Sequence, residues 1–211
     1  MKSTFLTILL AVAGAFAFGQ HATLKISDTA PLTDRKMEAT DGKQLSLNDV
    51  KGENGTLVIF SCNTCPFVVG MKDGGFPGWE KDYNALHKLA AEKGFGVILV
   101  NSNEAKRSGE ESEDTMGAMK ERAKANGYTI PYVVDKESTL ADAFGAKTTP
   151  HVFLFDKEMK LIYTGSIDNT WDPKRKEDIP YLINALSQFD SKIKVAESEP
   201  RGCSIKRVAK S

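Results

Sequence analysis

Cysteine, histidine and tryptophan are scarce in this 211-residue chain, at three, three and two residues. Three cysteines are too few to staple a fold with disulfides, and His21, His87 and His151 are too scattered for a metal-ligand spacing. An excess of one charge sign is lacking as well, because 28 Lys and Arg meet 28 Asp and Glu. No net field therefore favours nucleic acid or an anionic membrane surface. Beyond the N-terminus no apolar run approaches the ~20 residues that cross a bilayer. Internal repeats and low-complexity stretches are also missing. What is present, 41% hydrophobic and 27% charged residues, is the balance of a globular domain with its own core.

The first residues are a different material. Lys2 gives a short positive start, and residues 5–18 are apolar except for Thr7 and Gly14. Small residues at Ala15, Ala17 and Gly19 then offer a cleavage site, so residues 1–19 read as a secretory signal peptide. No cysteine follows the apolar run to take a lipid. The expectation is an exported protein, periplasmic or secreted, with no membrane span after cleavage. Its cysteines then work where disulfides persist.

Residues 20–190 are expected to form one domain, with 191–211 as a C-terminal tail. Turn-rich residues 23–51 allow one or two short edge strands. Leu57-Val58-Ile59-Phe60, Val97-Ile98-Leu99-Val100 and Val152-Phe153-Leu154-Phe155 are apolar on both faces, which marks strands covered on both faces. Leu161-Ile162-Tyr163 follows the last of these across a hairpin-like connection. Helical spacing joins Trp79, Tyr83, Leu86 and Ala90, and again Met116, Met119 and Ala123. A short helix holds Leu140, Ala141 and Phe144, with Ser138 as N-cap and Gly145 as stop. Ile179, Leu182, Ile183 and Leu186 mark the last helix. The order strand, helix, strand, helix, strand, short helix, strand, strand, helix implies an α/β fold: a central mixed sheet with helices on both faces.

Cys62-Asn63-Thr64-Cys65-Pro66 stands directly after the first core strand and opens a helix-competent stretch. Two intervening residues hold the sulfurs close enough to bond. A helix N-terminus presents unpaired N–H groups and partial positive charge, which stabilise a thiolate. Such a pair suits thiol–disulfide exchange with no cofactor beyond the redox-active disulfide. Cys62 is expected to be the exposed nucleophile, and Cys65, one turn further in, its buried partner. A structural disulfide would close too small a loop to restrain the unfolded chain. Half a zinc site would need two more ligands that do not appear.

Thr148-Thr149-Pro150-His151 precedes the strand at Val152. Together with the Cys-x-x-Cys it resembles the thioredoxin superfamily. The resemblance implies a cis Pro150 lying against the sulfurs. It also implies a substrate-binding surface drawn from Thr149, Pro150, His151, Asn63, Thr64 and Pro66. From about Ala30 through the tail the chain is similar to the redoxin branch of that superfamily, which contains peroxiredoxins and exported thiol–disulfide oxidoreductases. Cys-Asn-Thr-Cys-Pro-Phe-Val at 62–68, Val-Asn-Ser-Asn at 100–103 and Gly-Cys-Ser-Ile-Lys at 202–206 carry that similarity. Two departures stand out. Thioredoxins place Trp before the first cysteine and Gly-Pro between the pair, where this chain has Ser61 and Asn63-Thr64. Peroxiredoxins place Pro and Thr ahead of a reactive cysteine aligned with Cys65, and here those positions hold Val58 and Cys62.

The reading is an exported thiol–disulfide oxidoreductase. Its expected partners are cysteine-containing proteins and a thiol electron donor or acceptor. Alternatives are a peroxiredoxin-like thiol peroxidase and a Cu(I)-binding chaperone using Cys62, Cys65 and His151. Cys203 is the odd cysteine. Its basic flanks, Arg201, Lys206 and Arg207, and a tail long enough to fold back make it a candidate third redox cysteine. Asp168, Asn169 and Asp172 fit no calcium loop. Asn54-Gly55-Thr56 is a glycosylation-like triplet better used as a turn into the core strand.

Overall fold

A computed structural model describes residues 22–108, 112–189 and 197–209. The expected leader lies outside these residues. In chain order the elements are β1 (Met37–Ala39), β2 (Gln44–Leu45), α1 (Leu47–Val50), β3 (Gly55–Ser61), α2 (Pro66–Val69), α3 (Tyr83–Glu92), β4 (Phe95–Asn101), α4 (Met116–Ala125) and β5 (Tyr132–Val134). There follow α5 (Thr139–Phe144), β6 (Thr148–Thr149), β7 (His151–Phe155), β8 (Leu161–Gly165), α6 (Tyr181–Gln188) and β9 (Cys203–Ser204).

Seven strands form one sheet in the order β2-β1-β5-β4-β3-β7-β8. The central trio β3, β4 and β5 is parallel, β1 and β7 join it antiparallel, and β2 and β8 pair antiparallel with β1 and β7 at the edges. The three apolar runs are the heart of this sheet, with Val58 facing Ile98 on one side and Phe153 on the other. Alternation along each strand splits the core in two. Leu57, Ile59, Val97, Leu99, Val152 and Leu154 pack with Tyr83, Leu86 and Ala90 of α3 and with Leu182, Ala185 and Leu186 of α6. Val58, Phe60, Ile98, Val100, Phe153 and Phe155 pack with Leu47 of α1 and Leu140, Ala141 and Phe144 of α5. Phe60, Phe144 and Phe153 meet edge to face in that second layer, with centroids 5.2–5.6 Å apart.

Two local expectations change. Ser138 does not cap α5: it lies in the left-handed region, and its hydroxyl donates to the Ser102 carbonyl at 2.6 Å. The cap is Asp135, buried below α5, whose carboxylate accepts the N–H groups of Leu140 at 2.9 Å and Ala141 at 3.0 Å. Ile183 faces outward on α6 at 42% exposure, because the buried stripe runs through Leu182, Ala185 and Leu186. Asn54 and Gly55 make the expected turn, where Gly55 has φ +131° and a Cβ would lie 2.0 Å from the Phe155 carbonyl. Asp168 and Asn169 serve their own neighbourhood, accepting from the Trp79 indole at 2.9 Å and from Ile179 N–H at 2.8 Å. Among the described residues no helix is long and apolar enough to cross a membrane.

Candidate active site

The site forms where β3 ends. Full burial of β3 on both faces fixes Ser61, whose hydroxyl pairs with that of Tyr83 at 2.9 Å, and so fixes the backbone that delivers Cys62. Cys65 occupies the N-cap of α2, and Pro66 takes the first helical position, where a missing N–H costs nothing. The Cys65 N–H points at the Cys62 sulfur at 3.3 Å. All three cysteines are free thiols.

Thr149 bridges the pair. Its hydroxyl lies 3.1 Å from the Cys62 Sγ, and its carbonyl accepts the Cys65 thiol at 2.9 Å. The bond from Thr149 to Pro150 is cis, as the family resemblance implies. Behind Cys62 lies a polar knot built around Asp114, which is fully buried. Its carboxylate accepts Asn63 N–H at 2.8 Å, the Asn101 amide at 2.7 Å and the Asn103 amide at 3.1 Å. Tyr132 closes the ring, accepting from the Asn101 amide at 3.0 Å and donating to Asn63 Oδ1 at 3.0 Å. A buried carboxylate is tolerated because N–H donors surround it.

This setting changes the expected exposure of the cysteines. Cys62 is not exposed: both sulfur-bearing residues are 2% accessible. The hydrogen bond with Cys65, burial and the Asp114 carboxylate hold the Cys62 thiol well above its usual range, against a smaller pull from the Thr149 hydroxyl. The Cys62 hydrogen bond lowers Cys65, aided by the backbone N–H of Cys203 and opposed by burial and by the Cys203 thiol.

Two residues expected to meet a substrate do not face one. His151 begins β7 on the side of Phe153 and Phe155, across the sheet from the sulfurs, its ring 4.4 Å from that of Phe153. Its Nδ1 accepts the Lys147 N–H at 3.1 Å, which leaves Nε2 to donate to the Thr164 hydroxyl at 3.2 Å. Burial and Lys147 lower its pKa to about 3. It is a neutral core histidine, and a Cu(I) site cannot use it as the third ligand. Asn63 is turned inward, donating to the Glu113 carbonyl at 2.8 Å while accepting from Tyr132. It positions the Cys-x-x-Cys loop. Thr64 is half-buried and Pro66 exposed, the two residues that flank Cys65 in the chain.

The tail comes back to the site. β9 pairs antiparallel with β6, setting Cys203 opposite Thr149 and Ser204 opposite Thr148. The Cys203 N–H donates to the Cys65 Sγ at 3.2 Å. Asn103 joins tail and site, since its amide binds Asp114 while its carbonyl oxygen accepts Lys206 N–H at 2.9 Å. The Val-Asn-Ser-Asn segment thus links the Cys-x-x-Cys loop to the tail. Asp114 and Tyr132 were not singled out from sequence. An aspartate in a loop and a tyrosine in a short strand carry no spacing signal for a distant cysteine.

Comparison with known proteins agrees with this geometry. The thiol-disulfide oxidoreductase ResA of Geobacillus thermodenitrificans is 27% identical over 198 residues, covering 88% of this chain and 94% of its own. The crystal structure of an uncharacterized conserved protein from Geobacillus kaustophilus superposes with a TM-score of 0.74 at 28% identity, covering 89% of this chain and 94% of that one. The thioredoxin domain of a thiol-disulfide oxidoreductase from Bacteroides vulgatus shares the fold, with a TM-score of 0.52 at 20% identity over 79% of this chain and 99% of that domain. The sheet, the paired sulfurs at the end of its central strand and a family model matching residues 25–182 lead to one assignment: the chain belongs to the Redoxin family, on a thioredoxin-like fold.

Proposed function

We propose that this protein is a thiol–disulfide oxidoreductase that exchanges disulfides with cysteine-containing proteins through Cys62 and Cys65. The observation that carries the reading is the shared contact of Thr149 with both sulfurs, its hydroxyl on Cys62 and its carbonyl on Cys65. Two thiols held by one residue at the end of a rigid strand are oriented for reversible bond formation at little cost in ordering. Exchange starts when one sulfur of the pair becomes a thiolate, the form that attacks a disulfide. The name of the Geobacillus relative supports the same chemistry. Residues 1–19 support export, which the intact mass of the protein recovered from its native host tests directly: a chain beginning within residues 18–20 is expected, and one beginning at Met1 refutes it.

The decisive experiment is a glutathione redox titration of the purified protein read by peptide mass mapping. A reversible Cys62–Cys65 disulfide, with insulin reduction that disappears in Cys65→Ala, is the expected result. A pair that never oxidises, or a Cys65→Ala protein with undiminished insulin reduction, overturns the proposal.

A further inference from the structure

Both cysteines of the pair are 2% accessible, yet disulfide exchange requires an incoming thiol to approach along a line to one of their sulfurs. Among the described residues, β6 is the extended backbone that touches both sulfurs, and its pairing partner is the chain's own tail. A cysteine-bearing peptide from outside would add to this edge as a strand. β9 already does so.

The tail is built to lie there. A Cβ on Gly202 would sit 2.2 Å from the Thr149 carbonyl oxygen and 2.6 Å from its carbon, so glycine alone permits this approach. Ile205 is buried in the second core layer, and its N–H donates to the Lys147 carbonyl at 3.0 Å. Upstream, the Arg201 guanidinium lies 4.4 Å from the Trp171 ring and 5.4 Å from that of Phe67. Between these anchors Cys203 packs against the same apolar cluster as the pair, half-buried and thus more open than either.

We propose that residues 202–205 are an internal substrate strand, and that Cys203 relays the disulfide of the buried pair to the surface by exchanging with Cys65. This rests on the function proposed above and names its route. Starting from the Cys62–Cys65 disulfide, Cys203 loses its proton and its thiolate attacks the Cys65 sulfur. The Cys65–Cys203 bond forms as the Cys62–Cys65 bond breaks, and Cys62 leaves as a thiolate and takes up a proton. One disulfide is present before and after, so no outside oxidant or reductant enters this step. The thiol of a partner protein then attacks Cys203 at the surface, displacing the Cys65 thiolate and leaving a mixed disulfide.

Oxidising the Cys62→Ser protein with oxidised glutathione, then mapping disulfides by mass, tests the relay. An intramolecular Cys65–Cys203 disulfide is expected, falling at least about tenfold when Gly202→Val lifts the strand away. Cys203→Ser in the otherwise native chain keeps the Cys62–Cys65 disulfide and slows its reduction by a cysteine-containing peptide at least about tenfold. If the native chain forms the Cys62–Cys65 disulfide but Cys203→Ser exchanges at the native rate, the relay fails and the proposed function stands. Cys65 found only as its glutathione adduct, or Cys203 found only in disulfide-linked dimers, also overturns the relay. If no Cys62–Cys65 disulfide forms in the native chain, the function proposed for the pair fails first.

Discussion

His151 stands apart from the sulfurs, while Asp114 acts directly on their surroundings. The histidine borders Pro150 in sequence but faces the layer opposite the sulfurs, neutral and hydrogen-bonded at both nitrogens. Its folded pKa of about 3 lies below the ordinary 6.5, so below pH 6.5 the unfolded chain binds a proton that the folded chain refuses. Stability is therefore lost as pH falls from 6.5 toward 3. This one group should remove about 2 kcal/mol between pH 7 and pH 5. Urea titrations of native and His151→Gln proteins across that range check it, and the variant should show the shallower pH dependence. Asp114 acts on Cys62 through its charge. Asp114→Asn should lower the Cys62 pKa, read by thiolate absorbance in a Cys65→Ala, Cys203→Ala background. The same change sets an amide against the amide donors of Asn101 and Asn103, and should cost about 1–3 kcal/mol.

Among the elements, α5 shows how a short helix survives. Six residues are too few to hold a helix by propensity, so packing and capping must supply the stability. Leu140, Ala141 and Phe144 bury one face, Gly145 ends the helix at φ +60°, and Asp135 caps it from outside the helix. Asp135→Ala strands two amides and the Ser102 hydroxyl, which bonds the same carboxylate at 2.8 Å, and should cost about 2–3 kcal/mol. Phe144→Ala opens the aromatic cluster and should cost about 3–5 kcal/mol. In both cases the urea midpoint should fall with an unchanged slope. The position of α5 was legible from its apolar spacing and from Gly145. Its cap was not, because Ser138 has the right residue type at the right place but a left-handed backbone that turns its hydroxyl to Ser102.

For the molecule as a whole, the chemistry is set by what surrounds Cys65. The strongest influences on its proton affinity are the Cys62 thiol, burial, and the thiol and backbone N–H of Cys203. Fast peroxide reduction needs donors aimed at the oxygen that leaves, and the positions where peroxiredoxins carry Pro and Thr hold Val58 and Cys62. Peroxide turnover should therefore be slow beside exchange with protein disulfides. Stopped-flow oxidation of the reduced protein by hydrogen peroxide measures this, and a rate matching dedicated peroxidases would contradict it.

Sequence alone determined the layers and the location of the pair. Three doubly apolar runs can only be central strands, and a Cys-x-x-Cys directly after one of them must lie at the sheet's end. Periodicity and spacing are local properties, so one chain suffices to read them. Tertiary structure decided how the pair is buried and what lies against it, which way His151 faces and where Cys203 rests. Each depends on residues far apart in sequence: Asp114 beside Cys62, Phe60 paired across the sheet with His151, and Gly202 against Thr149. Charge and burial act through space, and only the folded chain brings those residues within reach of one another.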